Sequence, residues 1–253
     1  MPSQHDRVTI VSMAVLACAS ATLLHEGVGH GVTAWLRGDI PTELTSNHLS
    51  DLRPDKLVDA GGTLVNLVAG TASLLIARSL GDRANLRYFC WLLGALNLLP
   101  GAGYFMFSGI FGFGDWNEVI RGLPHQADLR IGMTLFGVAL YVLVVRVLAI
   151  SVAPFAHGRR DYNTVGRIPY YAAGLFSCAA GALDPLGIKL LFASTIPAAF
   201  GGSSGMMWAD NLMPRADGEH ELWVKRQLGW WIAAVVIGSA YIVVLGRGVH
   251  FAH

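Results

Sequence analysis

Six stretches of this chain are apolar for long enough to cross a lipid bilayer, at about residues 8–36, 58–80, 86–107, 129–152, 169–200 and 228–246. Crossing the hydrocarbon core takes about 17–25 mostly apolar helical residues. Only helices and closed barrels satisfy every backbone polar group there, and the sequence shows no extended strand pattern and no internal repeat. The pattern therefore predicts an all-α fold, a polytopic transmembrane helical bundle. Asp184-Pro185 interrupts the fifth stretch. Proline removes a backbone donor and breaks a helix, so this stretch is either one kinked helix or two short ones forming a hairpin. The expected count is six or seven spans.

Charge usage fits the same class. Only 14% of residues are charged, against about 25% in a soluble domain, because most of the surface faces lipid. Membrane lipid is thus an expected partner, and residues 1–253 read as a single membrane domain. A formal net charge of +1 gives no electrostatic case for nucleic acid. Cys18, Cys90 and Cys178 are widely spaced in apolar segments and make no disulfide or metal pattern. The first apolar run has no clear cleavage site and is expected to stay as the first helix. Short loops on the N-terminal side carry Arg7, Arg78, Arg83, Arg87, Arg159, Arg160 and Arg167 with few acids. The positive-inside rule then predicts a cytoplasmic N-terminus in an integral, multi-pass protein.

Polar groups stand out against this background. His25 and Glu26 lie about 10 residues before the far end of the first span, roughly 15 Å deep. Asn66 in the second span, and Asn97 with Pro100 in the third, fall roughly 10–15 Å from the same side. Asp115 follows in a Gly-rich segment on that side. Ionisable residues at such depth are costly and mark function.

The first span reads "HEGVGH" over residues 25–30. Helical zinc sites use H-E-x-x-H, which puts both imidazoles on one face. Here the second histidine comes one residue late, about 140° round a regular helix. A π-bulge absorbs one extra residue, and Gly27 and Gly29 tolerate the distortion. The motif thus demands a break around residues 27–29 if His25 and His30 are to share a metal. The rival reading is packing alone, with Gly27 and Gly31 forming G-x-x-x-G. Catalytic zinc takes three protein ligands. Candidates for the third are Asp115, favoured by depth, then Glu118, Asp59 and Asp184, with Asp59 better explained as a helix-start residue.

The order of segments resembles the site-2 protease family of intramembrane zinc metalloproteases. The segments that carry the likeness are "HEGVGH", "AGGTLVNLVAG" and "LGALNLLPGAGYFMFSGIFGFGDW". The family has H-E-x-x-H in one span, a G-P-x-x-N-like motif in the next and a later N-x-x-P…D-G motif supplying an aspartate. The likeness covers roughly residues 10–120. It marks 8–120 as a metalloprotease core of three spans and 121–253 as accessory transmembrane helices. It implies Zn²⁺ on His25, His30 and Asp115, Glu26 as general base, and Asn66 and Asn97 beside the site. Asp115 comes 15 residues after Pro100, later than in the family, and Trp116 stands where the family has glycine.

The resulting expectation is a zinc-dependent intramembrane endopeptidase, cleaving membrane-embedded or membrane-adjacent protein substrates. Asn97 or Asn66 would donate to the developing oxyanion, and a non-helical 101–114 segment would line the entry for water. Two alternatives stay open. One is a transporter or channel for metal ions or small solutes, which broken spans and the intramembrane Asp184 and Lys189 would suit. The other is a catalytically inactive relative that binds membrane clients. Trp223, Trp230 and Trp231 read as interfacial anchors, and Met206, Met207 and Trp208 as a lid over the far side. His125, His157, His220, His250 and His253 read as solvated.

Overall fold

The computed structural model describes residues 4–53, 55–156, 158–214 and 221–251; His157, His220 and His253 lie outside these. Asp6 caps the first helix, α1 (Arg7–Thr22), by accepting from the Thr9 backbone amide at 2.8 Å. The helix runs without a break through a π-helical segment, Leu23–Val32, into α2 (Thr33–Leu36). The distortion demanded by "HEGVGH" is therefore present. It spans ten residues rather than one bulged turn.

A short hairpin follows, β1 (Pro41–Leu44) and β2 (Leu49–Asp51). Its turn is closed by Thr45, whose Oγ1 accepts from the amides of Asn47 (3.0 Å) and His48 (3.1 Å). The C-terminal β3 (Val249–His250) adds to β1, so the antiparallel sheet has the order β2-β1-β3. No strand pattern is legible in the sequence. The reason is length: pieces of two to four residues are too short for a period-2 pattern to register.

Helix α3 (Lys56–Ser79) is capped by Asp55, whose side chain accepts from the Leu57 amide and pairs with Arg37. Helix α4 (Ala84–Phe111) carries Pro100 inside it. The Gly-rich run after Pro100 is thus helical as far as Phe111, not the irregular lining expected for 101–114. The stop comes at Gly112, in the left-handed region at φ 64°. Arg130, on helix α6 (Gln126–Val152), donates to the carbonyls of Gly109 (2.9 Å) and Ile110 (2.8 Å), in the last turn of α4. Two short turns intervene before α6: Gly114 at φ 88° and α5 (Asp115–Ile120).

Among the described residues, four helices are long and apolar enough to cross a membrane: Arg7–Leu36, Lys56–Ser79, Ala84–Phe111 and Gln126–Phe155. This is fewer than the six or seven expected. After α7 (Arg159–Tyr162), helix α8 (Ile168–Gly181) ends at the Asp184-Pro185 turn. The chain returns as a second apolar helix, Ile188–Gly202, which opens with α9 (Ile188–Leu190) and continues through π-helical turns. The fifth stretch is therefore a hairpin of two short helices. Gly174 and Gly181 let Phe200 and Thr195 press against α8. The last apolar helix, α10 (Leu228–Val244), has 17 residues, at the lower limit for a span. Met206 is buried in the core and its carbonyl accepts from the Tyr162 hydroxyl at 2.7 Å, so the segment expected to be a lid is interior packing.

The π segment and α3 meet backbone to backbone. A methyl group at Gly29 would strike Gly62 Cα, and one at Gly61 would strike the Gly29 carbonyl. Gly27, by contrast, has open space around its Cα, so Gly29, not a Gly27/Gly31 pair, makes the close approach. Overpacking of this kind costs about 1–3 kcal/mol. Gly29→Ala is expected to lower stability by that amount in thermal unfolding in detergent, whereas Gly27→Ala should leave the transition in place.

Candidate metal centre

The π segment presents His25 and His30 on the side facing α3, and Glu26 beside them in the wall of a cavity. Its backbone hydrogen bonds run between residues five apart, so His30 falls in register with His25. The two rings meet edge to face with centroids 4.8 Å apart. Both are buried, as is Glu26. Helix α3 supplies what lies against them. Gly62 is the floor: a Cβ there would come within 2.5 Å of His30 Nε2 and 2.6 Å of His25 Nε2. The Val58 carbonyl accepts from His30 Nδ1 at 2.7 Å, and the Asn66 amide sits 3.1 Å from His25 Nδ1.

Those outer contacts set the tautomers. A carbonyl only accepts, so His30 carries its proton on Nδ1 and turns the Nε2 lone pair inward. Asn66 turns Nδ2 to His25 Nδ1 and leaves its buried Oδ1 without a partner; with the amide flipped, Oδ1 would accept from Nδ1–H and free the His25 Nε2 lone pair as well. Metal-bound histidines are held in this way by partners on the far nitrogen.

Asp115 completes the group. It is the first residue of α5, delivered by the Gly112 and Gly114 turns after α4. Trp116 packs on Phe105 of α4, ring centroids 4.4 Å apart, and holds α5 in place. Asp115 Oδ2 lies 3.3 Å from His25 Nε2 and 3.6 Å from His30 Nε2, and the two Nε2 atoms are 3.2 Å apart. Burial would raise the Asp115 carboxyl pKa, but pairing with the two imidazoles outweighs it and holds the group below the usual carboxylate range.

The triangle fits a cation. Tetrahedral ligands about 2.0–2.1 Å from a zinc-sized ion are about 3.3 Å from one another. When both imidazoles are neutral, three lone-pair atoms converge here without a donor, and Asp115 Oδ2 is buried with no hydrogen-bond partner. The three residues can hold a metal ion.

The other candidates for the third ligand are engaged elsewhere. Glu118 pairs with Arg121. Asp184, its side chain fully enclosed, accepts from Asn47 (3.0 Å) and from the Leu186 amide (2.9 Å). Asp59 lies in the first turn of α3, on the wall of the neighbouring cavity. Asn66 is beside the centre, but Asn97 is not directed at it. Asn97 is completely buried and donates to the Leu93 carbonyl of its own helix at 2.7 Å.

A cavity of about 710 Å³ adjoins the centre, with Glu26, His30 and Asp115 in its wall. Asp51, Asp59 and His48 are its polar lining; Phe107, Ile110, Phe113 and Pro197 are among its apolar residues. Three parts of the site carried no assignment in the sequence. The Val58 carbonyl has no side-chain signature. Gly62 lies within a quoted motif and was signalled only by being paired with Gly61 in a span. Tyr104, stacked on His25 with centroids 5.2 Å apart, was signalled only as a polar-tipped aromatic four residues past Pro100.

Metal content tests the geometry. The wild-type protein is expected to purify with about one divalent ion, and His25→Ala, His30→Ala and Asp115→Ala to lose it. Gly62→Ala should also lose it, because its methyl group occupies the ligand space. An unchanged metal content in Gly62→Ala would contradict the arrangement. Neither a scan against family models nor searches of curated proteins and of solved structures found a match to this chain.

Proposed function

We propose that this protein is a metal-dependent intramembrane peptidase, with zinc as its ion. The observation that carries the reading is three ligand atoms at tetrahedral separation, two of whose residues, His30 and Asp115, share the wall of one cavity with Glu26. A bound zinc ion would polarise a peptide carbonyl and bring the pKa of a water toward about 7. The chain's own residues supply the rest. Glu26, next to His25 and buried at the cavity wall, accepts the proton of the attacking water and passes it to the leaving amine. His30 and His25 are each held through Nδ1 by α3. The Gly62 floor keeps the space between them free.

The cavity suggests the substrate class. Its walls are mainly apolar, and the four long apolar helices are compatible with a membrane protein. A peptide that lies in or against the membrane suits such walls, and the acidic groups near the mouth keep a route for water.

Glu26→Gln separates binding from chemistry. The variant is expected to keep its metal and to lose cleavage by about 10²–10⁴-fold, read with a fluorescently labelled apolar peptide in proteoliposomes. Equal cleavage by wild type and variant would remove the mechanism.

A further inference from the structure

Water addition to a peptide bond needs a hydrogen-bond donor where negative charge develops on the carbonyl oxygen. Asn97 and Asn66 do not fill that place. The first donates to Leu93, the second faces His25, and neither lines the 710 Å³ cavity. Tyr104 does line it, beside Glu26, His30 and Asp115. Its ring stacks on the His25 imidazole at an interplanar angle of 22°. Its hydroxyl lies in the field of the Asp115 and Glu26 carboxylates.

That hydroxyl differs from those of four other tyrosines. Buried tyrosines normally find a partner, and here Tyr88, Tyr141, Tyr162 and Tyr170 donate to the carbonyls of Val165, Gly202, Met206 and Phe200. Tyr104 makes no hydrogen bond among the described residues. A free donor in the cavity wall, held rigid against a ligand histidine, is what an oxyanion site requires.

We propose that the Tyr104 hydroxyl donates a hydrogen bond to the scissile carbonyl oxygen as it becomes an oxyanion; the proposal rests on the peptidase reading. The water oxygen bonds to the carbonyl carbon, one water proton goes to Glu26, and the C=O π pair moves onto oxygen. Tyr104 keeps its proton and hydrogen-bonds that oxygen. On collapse the C=O bond re-forms, the C–N bond breaks and the amine nitrogen takes the proton from Glu26.

Tyr104→Phe keeps the ring on His25 and deletes only the hydroxyl. Three quantities are read: metal content, kcat and KM on the labelled apolar peptide, and affinity for a phosphinic analogue of that peptide, whose tetrahedral phosphorus presents the oxyanion. The expected result is full metal content, kcat lower by about 10²–10³-fold, little change in KM, and loss of affinity for the phosphinic analogue. Unchanged kcat and unchanged analogue affinity would overturn the proposal. So would loss of metal from Tyr104→Phe, which would make the residue a support for His25. A wild type that holds metal but cleaves nothing overturns the peptidase reading itself; a cleaving wild type with an equally active Tyr104→Phe overturns Tyr104 alone.

Discussion

The centre depends on one backbone contact, Gly29 against Gly61 and Gly62. Side chains of any size at these positions would hold the π segment and α3 apart, and the imidazoles would lose the floor over which they meet. Membrane helices associate largely through such close approach of small residues, since lipid gives little hydrophobic drive between them. Here the contact also organises the site. Val58, Gly62, Asn66 and Gly70 recur every four residues and so form one stripe along α3. Val58 and Asn66 hold the two histidines, Gly62 lies beneath the rings, and Gly70 continues the stripe to Leu98 and Asn97 of α4. One helix face thereby holds both histidines and docks α4.

The aspartate arrives by a different route. A carboxylate soon after Pro100 would stay on α4. Asp115 is reached by continuing α4 for about three more turns, stopping it at Gly112 with Arg130 on its last carbonyls, and folding α5 back toward the histidines. The interval of 15 residues is the length of that detour, and Trp116 holds its far end against Phe105.

Much of the site was legible because ionisable groups in an apolar run are rare and their depth is countable. The late second histidine even predicted its own backbone distortion, since only a turn closing five residues apart brings His25 and His30 into register. What was not legible has physical causes too. Apolar length alone did not separate spans from the short helices around Asp184-Pro185. Residues forming strands of two to four positions show no period. The direction of a buried amide is set by its nearest acceptor, and for Asn97 that is the carbonyl one turn back, which no sequence pattern reports.

The two ends of the bundle differ in a way that bears on the choice between peptidase and transporter. Helix α3 begins, α4 ends and the sheet lies at one end, and the cavity draws its lining from there: Leu49, Asp51, Asp59, Ile110 and Asp115. The other end is packed solid. Tyr88, Leu92, Phe155 and Tyr162 are completely buried and Trp91 nearly so. The polar tips of that core are satisfied internally, Tyr88 on the Val165 carbonyl and Trp91 on that of Leu148. A carrier must open its site to each side in turn, and here that would mean parting this buried aromatic cluster. A hydrolase needs water and peptide from one side only. A cavity lined largely from one end therefore favours chemistry at the site over passage through it.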